Sequence, residues 1–270
     1  MTKLLAQFLV ALVNLATGFL GPWRKLTVRA RVHDGLAPES AVTVNGTALT
    51  LLVPDRTSVY WPRHGFDSEP NTISWIDGFG AGDVFYDIGA NIGAYTLYAA
   101  KARSVRVVAF EPNPFSYRVL VQNLHLNDVT GRVLPLCLAV GDETGVTALS
   151  LNGTEAGSVG HAIAAGGPDG NGNGNGIGLQ AMAFRLDDLA EIKGFPAPTQ
   201  VKIDVDGIEA AILDGARSLL SGPGVKSVLI EMLTHDEAAQ ARIMSVLGEC
   251  GLKPADLPDD GSDNRLFTRA

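Results

Sequence analysis

The chain has little cysteine: two residues in 270, Cys137 and Cys250, far apart and in no CxxC or metal-ligand spacing. A disulfide framework is therefore excluded, and two small buried thiols in a reducing compartment fit better. Positive charge is also scarce, with 21 Lys and Arg against 29 Asp and Glu, a net charge of −8. Sequence-independent nucleic-acid binding needs clustered cations and is not expected. No P-loop, G-x-S-x-G elbow or HExxH occurs in the sequence, which leaves out three common hydrolase chemistries. With 46% hydrophobic and 19% charged residues, most of the chain is too apolar to remain disordered. Its length suits one large α/β domain or two small ones.

One long apolar run is present. Residues 4–20, LLAQFLVALVNLATGFL, place Lys3, Gln7, Ala11, Asn14 and Gly18 on one narrow helical stripe. Nearly everything else there is Leu, Val, Phe or Ala, so a helix with a wide apolar face is expected, stopped at Gly21-Pro22. Two amides and a short length disfavour a spanning helix, and a single lysine with a weak small-residue site disfavours an export signal. A helix buried against the domain, a partner subunit or a membrane surface is the plainer reading, which places the protein in the cytoplasm with possible membrane-surface association.

Between 26 and 61, polar and apolar residues alternate (Val28, Ala30, Val32; Val42, Val44; Leu49, Leu51, Val53), with punctuation at Asn45-Gly46 and Pro54-Asp55. Short antiparallel strands over 23–66 follow from that pattern. From about residue 67 to 270 the pattern becomes α/β. Expected strands at 83–88, 105–110, 132–138, 200–205 and 226–231 alternate with helices at 70–80, 92–102, 114–127, 207–220 and 236–249. A terminal strand comes near 265–269. This order predicts a mostly parallel sheet covered on both faces. The run AGGPDGNGNGNGIG at 165–178 cannot pack and reads as a flexible loop inserted in that domain.

The acids are placed unusually. Asp87, Glu111, Asp204 and Glu231 each fall at the carboxyl end of an expected strand, where doubly wound sheets bind ligands. Asp and Glu are depleted in strands, and crowded like charges need a cationic or hydroxyl-rich partner. The turn Asp87-Ile-Gly89-Ala90-Asn91-Ile-Gly93 lets a ligand approach the backbone, and Glu111 is placed to take a ribose diol. A GxGxxG register anchored on Gly89 would need glycine where Asp87 and Ile92 stand. A nucleoside with a positive centre and no phosphate therefore fits better than a dinucleotide: S-adenosyl-L-methionine. A nicotinamide-dependent oxidoreductase is the rival enzyme, and a catalytically inactive fold used for binding is the rival of another class.

FDSEPNTISWID (66–77), DVFYDIGANIGAYTLYAA (83–100), VVAFEPNPFSY (107–117), PLCLAVGDETG (135–145), VKIDVDGIEAAILDGA (201–216) and KSVLIEM (226–232) resemble the FkbM family of S-adenosylmethionine-dependent methyltransferases. The resemblance implies the class I methyltransferase (Rossmann-like) sheet with an antiparallel C-terminal strand, preceded here by a small β/helical extension. It implies O-methylation of a hydroxyl on a sugar, glycan or secondary-metabolite precursor. It also implies that Asp87, Gly89, Ala90, Asn91 and Gly93 form the methionine-side loop and that Glu111 takes the ribose. Pro112 and Asn113 would lie beside the adenine, the Ala139–Asp142 turn along its edge, and Asp204 near the transferred methyl.

For catalysis, Asp204 is placed as base or aligner. Lys202, two residues earlier on the same strand face, is costly to bury unpaired, so a pair with Asp204 or another rim acid is expected; it is either catalytic or a structural ion pair. His161 and His235 are further candidate bases. Asp206 and Glu209 read as a capping box opening helix 207–220 rather than as metal ligands with Glu231, so no metal is expected. Trp23, Trp61 and Trp75 with Tyr60 could stack on a sugar, although aromatics are more often core.

Overall fold

The computed structural model describes residues 1–36, 38–158, 162–164, 177–232 and 236–269. Two compact units divide the chain at Glu39–Ser40. In the first, α1 (Thr2–Ala16) has no buried residue. Gly21 then caps α2 (Pro22–Gly35), which has proline at its first turn. The expected strands around Val28, Ala30 and Val32 are thus a helix. Pro22 presets the first helical φ, and alternation without a partner strand gives a sheet nothing to pair with. Among the described residues no helix is long and apolar enough to cross a membrane.

The second unit opens with the hairpin β1 (Glu39–Val44) and β2 (Thr47–Leu52). Asn45 and Gly46 at its turn have φ of 43° and 81°, the left-handed pair that such a turn demands. A π-helical turn over Trp61–Gly65 leads to α3 (Pro70–Asp77). The α/β domain follows with β3 (Val84–Ile88), α4 (Ala94–Tyr98), a π-helical turn Ala99–Arg103, β4 (Arg106–Phe110), α5 (Pro114–Leu126) and β5 (Val133–Leu136). Next come β6 (Ala139–Val140), β7 (Gly145–Leu151), β8 (Ala162–Ala164), β9 (Ile177–Phe184) and α6 (Leu186–Ala190). The chain closes with β10 (Gln200–Ile203), α7 (Glu209–Asp214), α8 (Arg217–Ser221), β11 (Ser227–Glu231), α9 (Glu237–Glu249), β12 (Leu252–Ala255) and β13 (Asn264–Arg269).

Seven strands form the central sheet in the order β12-β13-β11-β10-β3-β4-β5. The pairs among β11, β10, β3, β4 and β5 are parallel, and β13 runs antiparallel between β11 and β12. Strand order reverses at β3 and β10, which puts a topological switch point between their carboxyl ends. Alternation divides the core: Tyr86, Ile88, Val201, Ile203, Val228 and Ile230 pack on one face with α7 and α9, and Phe85, Val107 and Ala109 on the other with α3, α4 and β2.

A second sheet, β6-β9-β7-β8, occupies the stretch that sequence patterning left irregular. All of Gly145–Leu151 pairs antiparallel with residues 177–183 of β9, so residues 177 and 178 of the expected flexible loop are strand; 165–176 lie outside the described residues. The helix expected over 207–220 breaks in two. A Cβ on Gly215 would lie 2.0 Å from the Gly141 carbonyl oxygen, and that close approach fixes the break. Asp206 does not cap it: α7 starts at Glu209 with Ile208 as its N-cap.

Candidate active site

The turn after β3 is shaped by backbone contact. Gly89 has φ +84°, and a Cβ there would sit 1.9 Å from the Asp204 carbonyl oxygen, so only glycine lets the turns after β3 and β10 touch. Its N–H and that of Ala90 both reach the Phe110 carbonyl at 3.0 Å. Asn91 (φ 50°) and Gly93 (φ 87°) also take left-handed backbone, and Gly93 caps α4.

Glu111 follows β4 and is buried. Its Oε2 accepts the Asn91 N–H at 2.7 Å and its Oε1 the Asn113 N–H at 2.8 Å. Burial pushes this carboxyl up to about 7, against the lowering effect of those two N–H groups and with a further push from Asp87 and Asp206. Each oxygen keeps a lone pair for another donor. Asn91 turns its amide nitrogen toward the Ser158 carbonyl, 3.4 Å away. Its Oδ1 is buried with no hydrogen-bond partner among the described residues, an acceptor that awaits a donor.

Lys202 and Asp87 are register partners in the β10–β3 ladder and both are buried. Asp87 Oδ2 accepts from Thr96 Oγ1 at 2.6 Å; burial raises its pKa while Lys202 opposes that. The Lys202 ammonium donates to Asp204 Oδ2 and sits 5.0 Å from the centre of the Tyr95 ring. Burial disfavours its charge, but Asp204, Glu69 and Asp87 outweigh it and raise its pKa. Lys202 is therefore a fixed cation rather than a base. Glu231, at the end of β11, is pushed up to about 7 by burial, then by Asp204 and Glu209.

One cavity of about 560 Å³ joins these groups. Gly89, Ala90, Asn91, Glu111 and Pro112 line one part, with Ala139 alongside, and Lys202, Asp204 and Glu231 also face it. Four residues expected at the ligand do not line it. Asp87 lies beneath the turn on Thr96. Gly93 packs toward Leu120, which a Cβ would meet at 3.1 Å. Asn113 uses its side chain to cap α5, accepting the Phe115 N–H at 3.0 Å, and Asp142 is exposed. His161 and His235 lie outside the described residues. Glu209 supports the loop: its Oε1 accepts the Val205 and Gly207 N–H groups at 3.3 and 3.0 Å.

Sequence reasoning missed Glu69 and Tyr95. Glu69, the N-cap residue of α3, lines the cavity while its Oε2 accepts from Thr72 and Asn264 at 2.9 and 3.0 Å. Tyr95 stands between Lys202 and Trp61, the latter ring edge-on at 5.8 Å. The tetrad FDSE at 66–69 within the quoted motif was the available signal. Of the aromatics, Tyr60 and Trp61 line the cavity, Trp75 donates to Ser227 Oγ at 2.8 Å within the core, and Trp23 belongs to α2.

This donor and acceptor set fits S-adenosyl-L-methionine. Glu111 offers two lone pairs to a ribose diol, the unpartnered Asn91 Oδ1 suits an ammonium, and the carboxylate-rich lining suits a cation. No glycine-rich diphosphate turn is present beside the buried Asp87.

Residues 87–254 match the methyltransferase FkbM domain. The chain is 29% identical to 31-O-demethyl-FK506 methyltransferase FkbM of Streptomyces tacrolimicus, across 68% of this chain and 74% of that one. It is 28% identical to hexuronic acid methyltransferase AglP of Haloferax volcanii, across 56% of each. A solved structure from Streptococcus mutans, assigned as a SAM-dependent methyltransferase, shares the fold at a TM-score of 0.52 with 12% identity, covering 86% of this chain and 55% of that one. The chain thus spans little more than half the length of the last two. Together with a sheet ordered as class I methyltransferases order theirs, the match shows that this chain belongs to the FkbM family of methyltransferases and uses S-adenosyl-L-methionine as its cofactor.

Proposed function

We propose that the enzyme methylates a hydroxyl of an uncharged sugar, glycan or secondary-metabolite precursor. One observation carries the reading: a single cavity of about 560 Å³ connects the Gly89–Glu111 end to Lys202, Asp204 and Glu231, so a nucleoside and a small acceptor can meet inside it. When bound, the cofactor supplies an electrophilic methyl group. The protein's own part is alignment and proton removal. Asp204, held by the buried ammonium of Lys202, orients the acceptor oxygen. Glu231, with a pKa of about 7, is matched to accept the hydroxyl proton near neutral pH. Tyr60 and Trp61 offer ring faces to a sugar at the cavity wall.

Relatives named for 31-O-demethyl-FK506 and for a hexuronic acid support an oxygen-rich acceptor. The acids Glu69, Asp204, Asp206 and Glu231 around one cation favour an uncharged acceptor over an anionic one. The same acidity, with the chain's net charge of −8, weighs against nucleic acid as substrate. Two free thiols, Cys137 and Cys250, suit a cytoplasmic enzyme.

The test is methyl transfer from S-adenosylmethionine to a panel of neutral, acidic and amino sugars and polyols, read by mass spectrometry. A neutral hydroxyl compound should gain one methyl, and Asp204→Asn and Glu231→Gln should each lower that rate by about 100-fold. Transfer to amines or uronic acids alone would replace this acceptor class.

A further inference from the structure

We propose that residues 2–35 dock the enzyme on an anionic lipid surface, lying along it.

No residue of α1 is buried, although Leu4, Leu5, Phe8, Leu12 and Leu15 fall on one broad arc when placed at about 100° per residue. Phe8 is 62% exposed and Leu15 77%. The apolar surface continues past the helix to Phe19 at 84% and Trp23 at 80%. Scattered exposed leucines are ordinary, but a contiguous apolar face of this size marks an interaction site. Lys3, Gln7 and Asn14 hold one narrow stripe outside that arc, so the helix has a narrow polar edge and a wide apolar face. At 15 residues it spans only about 22 Å, short of the ~30 Å hydrocarbon core, so it suits the interface and not a crossing.

The charge pattern selects the lipid. Residues 2–35 hold Lys3, Arg24, Lys25, Arg29 and Arg31 against one acid, Asp34, in a chain whose net charge is −8. Four of those cations stand on α2, directly after the apolar helix, and Arg29 donates to the Asn14 side chain of α1. An apolar helix tied to a basic one matches acyl chains beneath anionic headgroups. A second copy is the poorer occupant, because it would bring two such cation clusters together.

The experiment sediments the full chain with phosphatidylcholine vesicles and with mixed phosphatidylcholine–phosphatidylserine vesicles. Binding to the mixed vesicles should exceed binding to phosphatidylcholine by at least about tenfold and weaken as salt is added. The triple variants Leu5→Asp/Phe8→Asp/Leu12→Asp and Arg24→Glu/Lys25→Glu/Arg31→Glu should each lose about tenfold or more. Both should still bind S-adenosylmethionine, which shows that the second unit is folded. No sedimentation with either vesicle, equal binding to both, or undiminished binding by either variant would overturn the proposal. So would a lipid-free dimer that the Leu5/Phe8/Leu12 variant dissociates, since the apolar face would then belong to a second copy.

Discussion

The ammonium of Lys202, buried inside β10, donates to the carboxylate of Asp204 where that strand leaves the sheet. Lys202 is almost fully enclosed, whereas the Asp204 side chain is 31% exposed to the cavity. The pair thus carries a charge from the core to the rim. Lys202→Met should cost about 2–4 kcal/mol, because Asp87 would be left buried without its cation. Lys202→Met/Asp87→Asn, which neutralises that buried acid, should recover part of the stability but no turnover, read by denaturant unfolding beside a methyl-transfer assay. Asp204→Asn should keep cofactor affinity within about threefold while losing about 100-fold in kcat.

Gly89→Ala tests the turn. Its Cβ would lie 1.9 Å from the Asp204 carbonyl oxygen at φ +84°, so the two turns must part. A loss of about 2–4 kcal/mol in stability is expected, with cofactor binding falling below detection by calorimetry. Gly131→Ala, where a Cβ meets nothing within 4 Å, should leave binding unchanged.

As the proposed acceptor for the ribose, Glu111 should make cofactor affinity depend on pH. Its pKa rises from an ordinary 4.5 to about 7 because burial disfavours the charge. In that window the folded apo-protein binds the extra proton, so its stability falls as pH rises from about 4.5 to about 7. A ribose diol and a cationic ligand favour the ionised form instead. Affinity should therefore climb by up to about tenfold from about pH 6 to about pH 8 and then level off. Glu111→Gln should bind more weakly and flatten that profile in titration calorimetry.

Asn123 joins the hairpin to the turn after β3. Its Oδ1 accepts the Leu52 N–H at 2.7 Å and its Nδ2 donates to the Ile92 carbonyl at 2.9 Å, both buried. Asn123→Leu strands both backbone groups and should lower stability by about 2–4 kcal/mol. Its cofactor affinity should fall as well, because Ile92 lies between Asn91 and Gly93.

The central strands were legible because buried parallel strands such as RVVAF at 106–110 and SVLIE at 227–231 are continuous apolar runs. The acids that close them, Glu111 and Asp204, stood out for the same reason. The second sheet was not legible. Its strands GVTALSL and IGLQAMAF are built of small and mixed residues, and only their mutual pairing identifies them. Nor did alternation at 26–32 distinguish a strand from α2, since each needs a partner surface to decide it. Glu69 and Tyr95 reach the cavity from α3 and α4, more than 100 residues before Asp204 in the chain, a proximity only the fold reveals. Asp87 and Asn113 sit in the right motifs yet serve beneath the site: one sets the charge around Lys202 and the other caps α5.

We infer that Glu111 and its turn hold S-adenosyl-L-methionine. The decisive measurement is titration calorimetry of the purified chain with S-adenosylmethionine, S-adenosylhomocysteine and NADH. Saturable binding of the first two, absent for NADH and lost in Glu111→Ala, is the predicted result. Binding of NADH alone, no binding at all, or undiminished S-adenosylmethionine binding by Glu111→Ala would contradict it.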